Sequence, residues 1–343
     1  MNLFERKVPE LQLCEIYKRV EAGATSGDQT LLQQWCAGFE DRDGKFVHEF
    51  QTTFNSSFWE LYLHAVLKEF KFDVDYRHAR PDFVVTSPHD FCIEAVTAQP
   101  VGGQPLEPGQ TDEAMALLGN LNELNRRAMV RLANSFHSKV KKYRESYSAL
   151  GHVRDKPFVL AVAAFDSPAF FALSTRPMEA LLYNYYVDEE AFVAGERASL
   201  EGEHLVSINK DNGAPIELGM FQGPAFSEVS AIVWNPCATW GKVRTMSPMV
   251  ANERVVVQSV RYNPNSHFPH HLVETKPDTS ETLFDGLTVF HNPFAAFPLD
   301  PTVFQHPDVA QVYVDHSADE FVFDRREGQL LFRTLLTIVT RSS

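Results

Sequence analysis

Three carboxylates occupy apolar stretches of this 343-residue chain, between Phe58 and Thr97. Glu60, Asp82 and Glu94 each have hydrophobic residues as close neighbours in the sequence. A carboxylate that leaves water without a partner tends to neutralise rather than stay charged, because transfer of the ionised group is so costly. We therefore interpret these three acids as members of a site or as core acids that have structural partners.

Glu60 lies in a segment that we predict to be a helix beginning at Lys45. It is the only acid between Glu49 and Glu69, and apolar residues surround nearly the whole helix. A helix that is hydrophobic on all sides is typically buried. We therefore expect the Glu60 side chain to point inward.

Asp82 and Glu94 are predicted to lie on two successive strands. Asp82 opens a strand over 82–86 and follows Pro81, which fixes φ and has no N–H to donate. Glu94 lies in a second strand, over 90–97. The break between them is short enough for a hairpin, which would bring the two carboxylates close together.

Two carboxylates at about 4 Å repel by about 4 kcal/mol at an effective dielectric constant of about 20. Their proximity would therefore be explained by a cation between them. Ligands that are all oxygen favour Mg²⁺ or Mn²⁺ over zinc. The alternative, to which the spacing alone gives equal weight, is that Glu60 and Glu94 are paired with structural partners.

The order of these features resembles that of the PD-(D/E)XK nuclease superfamily, which has the restriction-endonuclease-like fold. Pro81-Asp82 matches the family's Pro-Asp, Glu94 its second acid and Glu60 the acid on its first core helix. The resemblance implies an α/β fold whose central mixed β-sheet is flanked by helices, with Asp82, Glu94 and Glu60 as ligands of Mg²⁺ or Mn²⁺. The chain departs from the family at Val96, two residues after Glu94, where the family has a lysine.

A basic segment, 126–144, offers a replacement for that lysine. It contains seven Lys or Arg and no acid, in a chain of net charge −14. An apolar row at helical spacing predicts a helix with one face on the sheet: Leu124, Ala128, Leu132, Phe136, Val140 and Tyr143. Lys139 lies on the flank of that row, and some superfamily members carry the lysine on a neighbouring helix. Lys139 and Tyr143 also resemble the Gln-x-x-x-Tyr element of RecB-like members, with lysine in place of glutamine.

The same segment is the predicted nucleic-acid-binding surface. The net charge of −14 opposes broad attraction to phosphates, so we expect the contact to be local. The residues assigned to it are Arg126, Arg127, Arg131, Ser135, Lys141, Lys142 and Tyr143. The alternative is that the basic run is an ordinary solvated face.

The chain is divided into an N-terminal helical extension, 1–44, a nuclease-like α/β core, 45–260, and a C-terminal extension packed on the core, 261–343. The sequence does not decide whether the N-terminal helices cover the core helix or a partner in a homodimer. The C-terminal part is rich in Pro, Phe and His, and we expect it to be irregular. A Gly- and Pro-rich stretch, 98–110, is predicted to be a loop, either a flap at the mouth of the site or a plain surface loop.

Composition excludes several classes of protein. Hydrophobic residues make up 44% and charged residues 22%, as in globular proteins. The four cysteines show no Cys-x-x-Cys spacing, which fits a reducing cytoplasm and disfavours zinc or disulfide frameworks. No apolar run is long enough to span a bilayer, so we expect no membrane partner. The motifs of P-loop nucleotide hydrolases, α/β-hydrolases and His-Glu-x-x-His metalloproteases are missing.

These features together predict a metal-dependent nuclease that hydrolyses phosphodiester bonds, with DNA as the expected substrate. Asp82 and Glu94 would hold Mg²⁺ or Mn²⁺, Glu60 would be a third ligand or orient a water, and Lys139 would aid the nucleophile. A second hypothesis stays open, in which the fold is retained but the chemistry is lost. The protein would then be a catalytically inactive nuclease-like module that binds nucleic acid or protein, which Val96 favours.

Overall fold

The structure is a computed structural model that describes residues 1–22, 26–98, 112–165, 167–250, 253–315 and 320–339. The helices are α1 (Glu15–Glu21), α2 (Ser26–Cys36), α3 (Phe46–Thr52), α4 (Asn55–Glu69), α5 (Asp112–Leu118), α6 (Leu121–Lys142), α7 (Arg176–Tyr183), α8 (Glu189–Val193) and α9 (Trp240–Met246). The strands are β1 (Asp73–Val74), β2 (Phe83–Ser87), β3 (Phe91–Ala98), β4 (Phe158–Ala164), β5 (Tyr185–Tyr186), β6 (Glu203–His204), β7 (Ser207–Asn209), β8 (Pro215–Glu217), β9 (Ala231–Trp234), β10 (Glu253–Arg261), β11 (His270–Thr275), β12 (Thr288–His291), β13 (Ala310–Asp315), β14 (Glu320–Asp324) and β15 (Leu330–Val339). The predicted flap, 98–110, lies outside the described residues except for Ala98.

The centre of the fold is an eight-stranded sheet in the order β1-β2-β3-β4-β9-β12-β13-β14. β3, β4 and β9 run parallel to one another, whereas β2 is antiparallel to β3 and β12 is antiparallel to β9. All seven residues of β4 are buried, as expected for an unbroken apolar run in the middle of a covered sheet. Helices α4 and α6 pack on β3. The prediction of an α/β fold with a central mixed sheet flanked by helices is therefore confirmed.

The main sheet does not stop at residue 260. β12, β13 and β14 complete it, so the expectation of an irregular segment over 261–343 is wrong. β12 has only four residues, and all of them are buried. The sequence predicts a strand and a turn in the segment from Asp285, and β12 is that strand; what the sequence does not show is that it belongs to the main sheet.

A second, three-stranded antiparallel sheet is formed by β11, β10 and β15. Buried ion pairs join it to the helices. Arg244 of α9 contacts Asp28 of α2 at 3.0 Å and Glu253 of β10 at 2.7 Å, and all three side chains are at most 4% exposed. Such pairs stabilise a fold mainly because loss of one partner leaves the other charge buried alone.

The N-terminal helices cover the core helix. α2 packs on α4, where the ring of Trp35 lies 6.2 Å from that of Phe58 and 6.0 Å from that of Tyr62. Of the two roles that the sequence left open for these helices, covering the core helix is therefore observed. The homodimer stays a prediction. No helix in the described parts of the chain is both long and apolar enough to cross a membrane.

The single helix predicted from Lys45 is in fact two helices, α3 and α4. Phe54 separates them with a φ of 46°, which an α-helix cannot contain. The ring of Phe54 is 1% exposed and packs between Phe50 and Phe58, with ring centroids 4.9 and 5.5 Å away. Aromatic packing therefore holds a backbone conformation that local preference disfavours.

Candidate active site

The predicted hairpin of Asp82 and Glu94 is present. β2 and β3 are antiparallel, with Phe83 opposite Ile93, so the position one residue earlier, Asp82, faces Glu94. Asp82 Oδ2 accepts a hydrogen bond of 2.7 Å from the backbone N–H of Ala95. The carboxylate of Asp82 is thus fixed against the backbone beside Glu94.

Glu94 is almost completely buried, with 2% of its side chain exposed. Lys139 Nζ lies 2.7 Å from Glu94 Oε1, and Lys142 Nζ lies 3.0 Å from the same oxygen. The hydroxyl of Tyr147 donates to both carboxylate oxygens at 3.1 Å. Two ammonium groups and a phenol therefore compensate the charge of this carboxylate.

The sequence of α6 explains why Lys139 reaches Glu94. Asn120 caps the helix by accepting from the N–H of Glu123 at 2.9 Å. The predicted apolar row along α6 is confirmed, because all six of its residues are buried. This packing turns the neighbouring flank toward β3, where Lys139 Nζ also donates to the carbonyl of Ala95 at 3.3 Å. The proximity of Lys139 to Glu94 was expected, and its catalytic role stays a prediction.

Tyr143 presents little of its surface to solvent. Its side chain is buried, and its ring packs 4.5 Å from that of Phe158, which disfavours the contact with nucleic acid that was predicted for Tyr143. The tyrosine at Glu94 is Tyr147, which sequence reasoning missed. A π-helical turn, Tyr143–Tyr147, follows α6 and places Tyr147 there. The spacing of four residues from Lys139 to Tyr143 and again to Tyr147 was the available signal.

Glu60 lies on α4, whose position is fixed by a hydrogen bond of 2.9 Å from Trp59 Nε1 to the carbonyl of Ala161 in β4. The Glu60 side chain is half-buried and makes no hydrogen bond or ion pair with any described residue. Burial raises its pKa to about 8, and the negative charge of Asp82 adds to the effect. Glu60 is therefore mostly protonated near neutral pH.

The pKa of Asp82 is also raised, to about 6, first by burial and then by the charge of Glu94. The hydrogen bond from Ala95 and the positive charges of Lys139 and Arg42 act in the opposite direction. These effects place Glu60, Asp82 and Glu94 in one electrostatic cluster. Near neutral pH Asp82 is therefore mostly ionised, whereas Glu60 is not.

Arg42 belongs to this site, although it lies in the segment assigned to the N-terminal extension. Its Nη2 atom is 3.7 Å from Asp82 Oδ1, and its Nη1 atom donates to the carbonyls of His78 and Pro81 at 2.7 and 3.1 Å. Asp41 stabilises the turn that contains Arg42, because its Oδ1 atom accepts a hydrogen bond of 2.9 Å from the N–H of Gly44. Nothing in the local sequence signals this role, because the contact joins segments 40 residues apart.

The other basic residues of α6 have different surroundings. Arg126 and Arg127 both pair with Glu123, at 2.7 and 2.8 Å, and Arg126 also pairs with Asp211 at 2.7 Å. These ion pairs leave the two arginines fewer N–H donors for nucleic acid. The contact of Arg126 and Arg127 with nucleic acid stays a prediction.

Nearer to Glu94, Lys141 is 74% exposed and lies 3.8 Å from Glu145. Arg131 and Ser135 are half-buried and have no hydrogen bond or ion pair with the described residues. Arg131 and Ser135 stand two turns and one turn before Lys139 on the same flank. Together with Lys142, they are the assigned contacts on the flank of α6 that Lys139 occupies.

The residues fit a hard divalent cation by their donor chemistry, since Asp82, Glu94 and Glu60 supply only oxygen. Glu60 has no competing partner among the described residues, and the nearest cation to Asp82 Oδ1 is Arg42 at 3.7 Å. Among the described residues, no three His, Cys, Asp or Glu side chains form a group arranged to hold a metal ion.

Comparison of the chain with protein-family models, with curated proteins and with solved structures finds no match. The function has to be inferred from the contacts around Glu94, Asp82 and Glu60. The order in the chain of the helix with Glu60, the strand after Asp82, the strand with Glu94 and the helix with Lys139 is the order predicted.

Proposed function

We propose that this protein is a metal-dependent nuclease that hydrolyses phosphodiester bonds in DNA. The observation that carries the proposal is the ion pair of 2.7 Å between Lys139 and Glu94, beside Asp82 in the β2–β3 hairpin. Two acids on paired strands and a lysine from a separate helix thereby meet at one point. The acids suit a divalent cation and the lysine suits an anion that gains charge during the reaction.

In this proposal Asp82 and Glu94 hold Mg²⁺ or Mn²⁺, and Glu60 is the third oxygen donor. When bound, the cation supplies positive charge to the scissile phosphate and lowers the pKa of water. Lys139 is held between Glu94 Oε1 and the carbonyl of Ala95, at 2.7 and 3.3 Å. That fixed position lets its ammonium group stabilise the negative charge that develops on phosphate oxygens as water attacks phosphorus.

The local charge also supports a nucleic-acid substrate. Lys139 and Lys142 lie within 4 Å of Glu94 and Arg42 lies within 4 Å of Asp82, so three basic residues gather here in a chain of net charge −14. A confined positive region on an acidic protein attracts a phosphate at that place and disfavours binding elsewhere. Arg131 extends this region along α6, and Ser135 adds a neutral hydroxyl donor between Arg131 and Lys139.

A second candidate function is a nuclease-like module that binds nucleic acid without cutting it. The observation that favours it is the complete compensation of Glu94 by Lys139, Lys142 and Tyr147 within the chain itself. A carboxylate that already has these partners needs no metal ion for its stability. The two candidates differ in whether cleavage depends on added metal.

The test is cleavage of duplex DNA, single-stranded DNA and RNA with Mg²⁺ or Mn²⁺ by the wild type, Asp82→Asn, Lys139→Met and Lys7→Met. Lys7 is the control, because it is an exposed lysine outside the site and outside the predicted nucleic-acid-binding surface. We expect metal-dependent cutting that falls at least 100-fold in the first two variants and less than twofold in Lys7→Met. Circular dichroism checks that the variants are folded. Wild-type protein that binds DNA but cuts no substrate would instead establish the binding module.

A further inference from the structure

The loop between β1 and β2 leads directly into Asp82 and presents two arginines, Arg77 and Arg80. Three of its backbone carbonyls are held in place. Arg42 binds the carbonyls of His78 and Pro81, and His152 Nε2 lies 2.8 Å from the carbonyl of Arg80. The loop is therefore fixed relative to the acids by the same arginine that contacts Asp82.

A ring stack gives the loop a further support. The imidazoles of His78 and His152 lie face to face, with centroids 3.7 Å apart and an angle of 11° between the planes. His152 follows the π-helical turn that contains Tyr147, and its own carbonyl lies 3.5 Å from Cys92 Sγ in β3. The loop is thus joined to both elements that surround Glu94.

The two arginines of the loop differ in their partners. Arg77 forms a bidentate pair with Asp75, with Nε–Oδ1 and Nη2–Oδ2 distances of 2.9 and 2.7 Å. Arg80 is exposed, and its guanidinium has no hydrogen bond or ion pair with the residues that the structure describes. An arginine without a carboxylate partner keeps its full set of donors for a ligand.

Arg80 lies beside the site in the fold, because its carbonyl is 2.8 Å from Nε2 of His152, which stands five residues after Tyr147. Arg80 also stands two residues before Asp82 in the chain. An unpaired cation therefore lies at the rim of the cluster formed by Asp82, Glu94 and Tyr147.

We infer that Arg80 binds a backbone phosphate of the nucleic-acid strand that enters the site. This inference rests on the proposed function. It adds a contact from the loop before Asp82 to the contacts that are predicted on α6. The planar guanidinium matches a phosphate group in a bidentate geometry, and the rigid loop lowers the entropy lost on binding. Arg80 therefore positions the strand while Lys139 acts at the reacting phosphate.

The experiment measures binding and cutting separately for the wild type, Arg80→Ala, Arg80→Lys and Arg77→Ala. Binding of a fluorescein-labelled DNA duplex is followed by fluorescence anisotropy in EDTA over a range of salt concentrations. Cleavage is followed in Mg²⁺ or Mn²⁺ with the same DNA. Arg77→Ala is the matched control, because it removes the same charge from the same loop.

We expect Arg80→Ala to weaken binding about tenfold and to reduce the salt slope by about one. Arg77→Ala should change affinity less than twofold, since its charge is already paired, and Arg80→Lys should restore part of the loss. Equal effects of Arg77→Ala and Arg80→Ala, or an unchanged affinity in Arg80→Ala, would overturn the inference whether or not the protein cuts DNA. Arg80-dependent binding without any cutting would support the contact and overturn the nuclease. Failure of the wild type to bind DNA would overturn both.

Discussion

The clearest test of the electrostatic cluster is Glu60→Gln, which removes the charge of the acid that, unlike Asp82 and Glu94, has no hydrogen bond or ion pair with the described residues. The pKa of Glu60 is about 8 in the fold against an ordinary value of 4.5. Between these values the folded state binds more protons than the unfolded state, so stability falls as pH rises through this range. The full difference corresponds to ~5 kcal/mol at about 1.4 kcal/mol per pH unit. Partial contact with solvent screens the group, and we expect ~2–3 kcal/mol.

The assay is urea denaturation of the wild type and Glu60→Gln at pH 5, 7 and 9, with the free energy of unfolding from linear extrapolation. At pH 5 a protonated Glu60 resembles glutamine, so the two proteins should have similar stability. At pH 9 the variant should be more stable by ~2–3 kcal/mol, because the wild type must ionise a carboxyl that its surroundings disfavour. Glu69→Gln, an exposed position on the same helix, measures the general effect of removing an acid from α4.

One result would refute this reasoning directly. If the stability difference between the wild type and Glu60→Gln is the same at pH 5 and pH 9, then Glu60 titrates alike in the folded and unfolded states. Burial and the charge of Asp82 would then not act on it as the structure indicates.

Two further variants test buried contacts by urea denaturation at pH 7. Tyr147→Phe removes the donor to both oxygens of Glu94 and should lower the free energy of unfolding by about 1–3 kcal/mol; an unchanged value would mean that Lys139 and Lys142 suffice for Glu94. Arg244→Met leaves Asp28 and Glu253 buried without their shared partner and should cost about 3–5 kcal/mol. Arg254→Met, on the exposed face of β10, is the control for Arg244→Met and should lower the free energy of unfolding by less than about 0.5 kcal/mol. Equal losses in Arg244→Met and Arg254→Met would argue against the buried ion pairs.

The parts of the site that could be predicted from the sequence are those with local signals. Pro81 marks the start of the strand after Asp82, and the short break before Phe91 predicts the hairpin with Glu94. The apolar row of α6 predicts which flank Lys139 occupies, because helical spacing determines the faces of a helix. These residues meet as expected because each position follows from spacing within a single element or a single turn.

The parts that could not be predicted depend on contacts between distant segments or on irregular backbone. Arg42 reaches Asp82 only because the turn at Asp41 and the loop before Pro81 pack together. Tyr147 reaches Glu94 through a π-helical turn, and a regular α-helical continuation would direct its side chain elsewhere. The spacing of residues in the sequence does not predict these contacts, although each has a clear physical cause once the fold is known.

Lys139 reaches Glu94 from α6 and not from β3, and this determines how the site holds together. A lysine two residues after Glu94 would be fixed by β3 alone, whereas Lys139 depends on the packing of α6 against the sheet. Lys142 and Tyr147 follow on the same helical segment and share this dependence. The charge balance of Glu94 is therefore coupled to the position of α6. A ligand that binds the exposed flank of α6 therefore contacts the helical segment that supplies all three partners of the Glu94 carboxylate, namely Lys139, Lys142 and Tyr147.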